Sequence, residues 1–207
     1  APVAAPNNTT VRFMVGHSTV DSIYSALIKE LVSSNTPEHQ KHSDDIIYFA
    51  NGDNPSPIAP NHYNAPEMVN TADVNGFACQ RFPYCSPPCV DHTSPTVLHS
   101  PTDWAAFSVP NSTKTLGQWN QALGADIATT LVRVCYGRSF VFRRRELSRQ
   151  SMETWTNLEV VMKSATVEDL LYAERSWAAL IEKPIHKDVS IALHERSKCL
   201  MGDGTVD

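Results

Sequence analysis

The chain has 207 residues, is 42% apolar and carries a formal net charge of −5, enough apolar material for one substantial core, built as one domain or two closely packed lobes. An acidic balance excludes the nucleic-acid-binding classes, which need a broad cationic face to meet phosphate. No apolar run approaches the roughly 20 residues that span a bilayer; the longest, Ala125 to Tyr136, is broken by Asp126 and Arg133, so no membrane span is expected.

Residues 1–10 read as a disordered arm, and 11–207 as the single folded domain. Ala1-Pro-Val-Ala-Ala-Pro6 has the small-residue character of a remnant left after a signal or pro-segment is removed. Asn7-Asn-Thr9, Asn8-Thr-Thr10 and Asn111-Ser-Thr113 are glycosylation sequons. Cys79, Cys85 and Cys89 fall in a Pro-rich stretch that benefits from covalent closure. These features together predict a secreted, extracellular glycoprotein with disulfide bonds.

From Ser18 to Ser33, Val20, Ile23, Tyr24, Leu27, Ile28 and Leu31 recur at three- and four-residue steps, which predicts an amphipathic helix stopped by the Ser/Asn/Thr/Pro segment after it. Asp45 to Ala50 is a short apolar run bounded by turn formers, a buried strand. Residues 51–102 hold most of the prolines and read as a long irregular segment with a short helix around Glu67 to Asn75. A helix is expected from about Thr115 to Thr130, with Leu116, Trp119, Leu123 and Ile127 on one face. A strand follows over Leu131 to Tyr136, then a polar, Arg-rich link from Arg138 to Gln150. Glu153 to Val161 fits a strand or a short helix, Val167 to Ile181 a helix, and Val189 to Cys199 a shorter element. This alternation predicts an α/β or α+β fold: a helical N-terminal lobe and a small, mainly parallel sheet flanked by helices.

Five cysteines leave at least one thiol unpaired or paired between chains. Cys135, inside an apolar run, suits a small buried core residue, and Cys199 could pair with any of the first cluster. Cys85 and Cys89 with His92 and His99 form a conceivable zinc set, but Pro87 and Pro88 between the thiols make a poor knuckle, so no metal is expected.

No phosphate-cradling loop, dinucleotide fingerprint, nucleophile elbow or zinc-protease helix motif is present. The constellation that stands out is ordered rather than local: Trp119, a helix, a strand, Tyr136-Gly-Arg-Ser139, the Arg-rich link, then Glu153 shortly before Asn157-Leu158. That order resembles the ADP-ribosyl cyclase / NAD glycohydrolase family, and the Gly137-to-Glu153 separation is similar to the one expected there. Upstream, Ile46 to Ala50 looks like the strand bearing the family's first active-site aromatic, with Phe49 in place of a tryptophan. Glu67 followed by Phe77-Ala-Cys79 looks like the family's acidic residue ahead of a Trp-Cys pair. The resemblance covers residues 20 to 160. It departs in the small number of cysteines, in Tyr136 before the glycine, in a shorter tryptophan-to-glutamate separation, and in a helix where the family continues with a parallel strand.

The resemblance implies cleavage of NAD at the nicotinamide–ribose bond, giving ADP-ribose, its cyclic form or both, with NAD as substrate and no cofactor. It implies Glu153 as the catalytic carboxylate, Glu67 as a contact to nicotinamide, and Trp119 and Phe49 as aromatic walls. The residue types suit the reaction: nicotinamide leaves as a neutral ring, so one carboxylate beside the forming oxocarbenium ion is the main requirement. Arg138, Ser139, Ser148 and Arg149 are nearby donors for the pyrophosphate. Each residue also has a plain structural reading. Glu153 and Glu67 suit surface helix turns, Trp119 suits a core, and Arg143-Arg-Arg145 suits a solvated face or a protease processing site. The competing functions are a non-enzymatic secreted effector or binding protein, with residues 79–102 as its recognition loop, and a glycosidase using Glu67 and Glu153.

Overall fold

The computed structural model describes residues 20–34, 44–49, 65–79, 89–91, 93, 114–127, 131–135, 139–186, 188–189 and 191–192. The expected N-terminal arm, all three sequons, the conceivable zinc ligands Cys85, His92 and His99, and most of the Pro-rich segment lie outside them, as does most of the expected element from Val189 to Cys199.

The first helix, α1 (Val20–Ser33), follows its apolar period: Tyr24 and Ile28 are buried, and Leu27 and Leu31 pack partly against the core. Strand β1 is Ile46–Phe49, α2 is Ala65–Asn75 and β2 is Phe77–Cys79. β3 (Cys89–Asp91) falls within the stretch expected to be irregular. Strand β4 is Leu131–Arg133 and β5 is Phe140–Arg143, followed by a 3-10 helix over Arg144–Arg149.

Three further helices are described. α3 (Leu116–Ala122) is shorter than its apolar period suggests. Gly124 adopts φ 76°, and Gly124 and Ala125 donate their N–H groups to the Gln121 and Asn120 carbonyls at 2.9 and 3.0 Å. That is a glycine-terminated Schellman end, which stops the helix before Ile127 can join it. α4 (Met152–Lys163) settles as helix the segment that fitted either type, and α5 (Val167–Ile181) has the expected bounds. Ser151 caps α4, and Thr166 with Asp169 forms a capping box for α5.

The class is α+β. The main sheet has three strands in the order β1-β5-β2, and β3 pairs with β4 in a second, two-stranded sheet. Every pair is antiparallel, which corrects the expected mainly parallel sheet. β1 and β2 do run the same way, joined through α2, as the βαβ pattern implies. However, β5 inserts between them and hydrogen-bonds to both, so each actual pairing is antiparallel. β5 comes from the segment expected to be a polar link, and it is the central strand.

Alternation along the strands divides the interior in two. Phe140 and Phe142, with Phe49 and Phe77, face the main core beneath α1, α4 and α5; Val141 and Ala78 face Met68 and Ala72 of α2. Aromatic packing fills the main core. Tyr24 stacks on Phe49 at 4.5 Å between centroids, and Trp177 stacks on Phe140 at 4.9 Å. Lys29 of α1 bonds Glu159 of α4 at 2.6 Å across the helix pair.

The arginine triplet is only partly a solvated face: Arg145 is half exposed, while Arg143 is largely covered. Arg143 donates to the Asp73 carbonyl near the end of α2 at 2.6 Å, Arg144 to the Leu31 carbonyl near the end of α1 at 2.8 Å, and Arg145 to the Asp44 carboxylate at 2.7 Å. Two of the three thereby satisfy carbonyls in helix last turns, where the macrodipole is negative.

A disulfide joins Cys79 at the end of β2 to Cys135 just beyond β4, tying the two sheets together across 56 residues of sequence. Both residues are buried. Loop closure of this length is worth about 4 kcal/mol through the unfolded chain. Replacing Cys79 and Cys135 together by alanine is therefore expected to lower the unfolding free energy by most of that amount, measured by equilibrium urea unfolding. Gly76 turns α2 into β2 at φ 87°, and a Cβ there would lie 2.6 Å from the Glu146 carboxylate. Gly76→Ala is accordingly expected to cost at least about 1–3 kcal/mol in the same assay.

Candidate functional site

The residues singled out from the sequence do not form one cluster. Phe49 is 7% exposed and sits among Tyr24, Phe140 and Phe142. Trp119 is 4% exposed, stacks on Tyr172 at 5.8 Å and donates its indole N–H to Asp169 at 3.4 Å. Both rings are core members, and neither offers a face to a ligand in this arrangement. Ser139 is fully buried at the entry to β5, and Arg138 lies outside the described residues.

Glu67 and Glu153 are both exposed but belong to opposite sides of the main sheet. Glu67 stands on the outer face of α2, in an open depression of about 470 Å³ shared with Asn70 and Val74. Glu153 stands in the first turn of α4, where a negative charge favours the helix dipole. A helix is about 10–12 Å across, so these carboxylates lie beyond the roughly 5–10 Å over which a two-carboxylate glycosidase works. That geometry weighs against the glycosidase reading and removes Glu67 from any site shared with Glu153. Asn157, expected just after the glutamate, serves the packing of α3 against α4, with its side-chain amide donating to the Leu123 carbonyl at 3.1 Å.

What the fold does assemble is a cleft of about 220 Å³ between β4, the residues after α3 and the C-terminal end of α5. Its polar lining is Asp126, Arg133, Arg149, Gln150, Glu182 and Lys183, over an apolar floor that includes Val132, Ala178 and Ile185. Arg149, one of the expected phosphate donors, reaches the cleft with Nε donating to the buried Glu146 carboxylate at 2.7 Å. Ser148, beside it, is exposed and donates its hydroxyl to the Arg145 carbonyl at 2.7 Å. Gln150 accepts the Asp126 N–H at 3.1 Å, pinning the segment after α3 to the cleft rim. Arg133 on β4 is hydrogen-bonded to Glu182 just past α5, a residue 8% exposed.

Arg133, Glu182, Gln150 and Lys183 were not singled out from the sequence. A usable signal existed in Arg133, a charge inside an apolar run, since strand alternation turns such a residue away from its buried neighbours. Glu182 gave none: a glutamate after an apolar helix reads as solvated until β4 is laid beside it.

Two carboxylates are held below their ordinary values. Glu159 is lowered by hydrogen bonds from Lys29 and then Lys163, against the opposing effect of burial. For Asp169, burial pushes the carboxyl up, but hydrogen bonds from the Thr166 backbone and hydroxyl and from the Trp119 indole outweigh it. Searches against protein-family models, curated proteins and solved structures find no match to this chain.

A lowered folded-state value means the stabilisation is present above the unfolded value and lost as pH falls through the folded one. The urea midpoint should therefore be flat at neutral pH and drop below about pH 4. Asp169→Asn should start lower at neutral pH and lose less on acidification. An equal acid response in that variant and the wild type would reject this origin.

Proposed function

We propose that this chain is a secreted enzyme that consumes NAD by breaking the nicotinamide–ribose bond, with Glu153 as the carboxylate that steadies the oxocarbenium-like transition state. The observation that carries the reading is the continuity of residues 149–153. Arg149 and Gln150 line the cleft, Ser151 caps α4, and Glu153 follows as a solvent-accessible carboxylate in the same turn. A cation that can bind pyrophosphate, Arg149, and an accessible carboxylate thus share one short stretch of backbone. The ordered resemblance to the ADP-ribosyl cyclase / NAD glycohydrolase family supports the same reaction.

The chemistry asked of these residues is modest. Nicotinamide departs without needing a proton, so the reaction calls for an ionised carboxylate near the anomeric carbon and fixed donors on the phosphates. Attack by water gives ADP-ribose; attack by the adenine of the same molecule gives the cyclic product.

The burial of Phe49 and Trp119 favours a second reading, a secreted binding protein without catalysis. With both rings in the core, neither implied aromatic wall stands ready to exclude water from a reacting sugar.

Incubation of the secreted protein with NAD, followed by chromatography of the products, separates the two. The enzyme reading expects nicotinamide release, and a loss of at least a hundredfold in kcat for Glu153→Gln with the thermal midpoint lowered by no more than the few degrees that the lost helix-dipole charge costs. Nicotinamide release that survives in Glu153→Gln removes the residue assignment. No release between acidic and neutral pH leaves the binding protein.

A further inference from the structure

We infer that the cleft between β4 and the end of α5 is a phosphate subsite: it takes the pyrophosphate-bearing part of the dinucleotide on Arg133 and Lys183, with Glu182 positioning Arg133. The identity of the ligand rests on the cleavage reading above; the site itself rests on the geometry of the cleft.

Size points to a subsite. The cleft holds about 220 Å³, below the roughly 300–1,000 Å³ of pockets that enclose whole ligands. It therefore suits part of a dinucleotide, with the remainder passing Gln150 on the rim toward α4. The apolar floor, including Val132, Ala178 and Ile185, offers packing for a sugar or base beside the charged wall.

Charge points to phosphate. Three cations line the cleft: Arg149 is tied through Nε to Glu146, and Arg133 on β4 and Lys183 just past α5 are the pair that the subsite uses. Lys183 is exposed and makes no ion pair among the described residues. The Arg133 side chain keeps 39% of its surface exposed, while its partner carboxylate keeps only 7%. Glu182 therefore fixes the guanidinium from the protein side and occupies only part of a fork with five donors. The arginine is anchored at its backbone as well, because β4 pairs Arg133 with Cys89 of β3.

The carboxylates of Asp126 and Glu182 on the same walls set the selectivity. They repel a lone carboxylate or chloride, so net binding requires an anion with several charged oxygens that engages both cations together. A pyrophosphate meets that requirement.

The test is calorimetric titration of the intact protein with ADP-ribose and inorganic pyrophosphate, with adenosine as the uncharged control. ADP-ribose should bind at least tenfold more tightly than adenosine, and more weakly as salt rises. Arg133→Met and Lys183→Met should each weaken ADP-ribose about tenfold and raise KM for NAD far more than they lower kcat. Glu182→Gln should weaken it as well, with partial recovery in Glu182→Asp. Lys183 is exposed, so its variant tests the site even if Arg133→Met unfolds. Unchanged ADP-ribose affinity in Lys183→Met, or no binding by the wild type, overturns the subsite. Turnover with unchanged KM in that variant also overturns it, while leaving the cleavage reading intact. Pyrophosphate binding that is lost in the variant, with no NAD turnover at all, upholds the subsite and removes the cleavage.

Discussion

The structure depends on burying β5. This strand has partners on both edges, β1 and β2, and covered faces on both sides, so its backbone groups are satisfied without water and three of its four side chains supply both cores. Phe140 and Phe142 point into the aromatic cluster, and Val141 points under α2. Because the chain leaves β5 straight into the arginine triplet, the same segment that closes the sheet also fastens α1, α2 and the approach to β1. A strand desolvated on four sides must be held in one register, since a one-residue slip would exchange its two faces.

The candidate site inherits its rigidity from that arrangement. The 3-10 helix after β5 carries Glu146 into the space left by the missing side chain of Gly76, and Glu146 in turn fixes Arg149 at the cleft. Thr154 donates to the Gly124 carbonyl at 3.0 Å, so the turn that ends α3 is sewn to the helix that carries Glu153. The Cys79–Cys135 bridge holds β4, and with it Arg133, to the main sheet. The cleft is thus lined from elements whose relative positions are set by covalent and buried polar links, as precise placement of charged groups requires.

Burial of Phe49 and Trp119 separates two uses of an aromatic residue that look alike in one dimension. A ring at helical or strand spacing satisfies a core and a ligand platform equally well on paper. Trp119 resolves toward the core because Tyr172 and Asp169, about fifty residues later, supply the stacking face and the acceptor for its indole N–H. Cations behave in the same way: Arg143 to Arg145 look like a charged surface run until three separate elements present acceptors to them.

The sequence by itself determined several of the local elements. Apolar periods placed α1 and α5, a short helix was expected where α2 lies, and β1 and β4 were visible as short apolar runs. Their alternation left an α/β or an α+β fold, and the antiparallel pairing decided for α+β. The sequence did not reveal that α3 stops at Gly124, because the apolar period continues past the glycine and only the hydrogen bonds of the turn end the helix. Only the tertiary structure decided that Phe140–Arg143 is the central strand. Its two partners are contributed by residues some sixty and ninety positions earlier, and its Arg-rich flank disguises it as a polar link. The cleft was invisible for the same reason. Arg133 and Glu182 are brought together by packing α5 against β4, and no local pattern encodes a contact between charges so far apart in the chain.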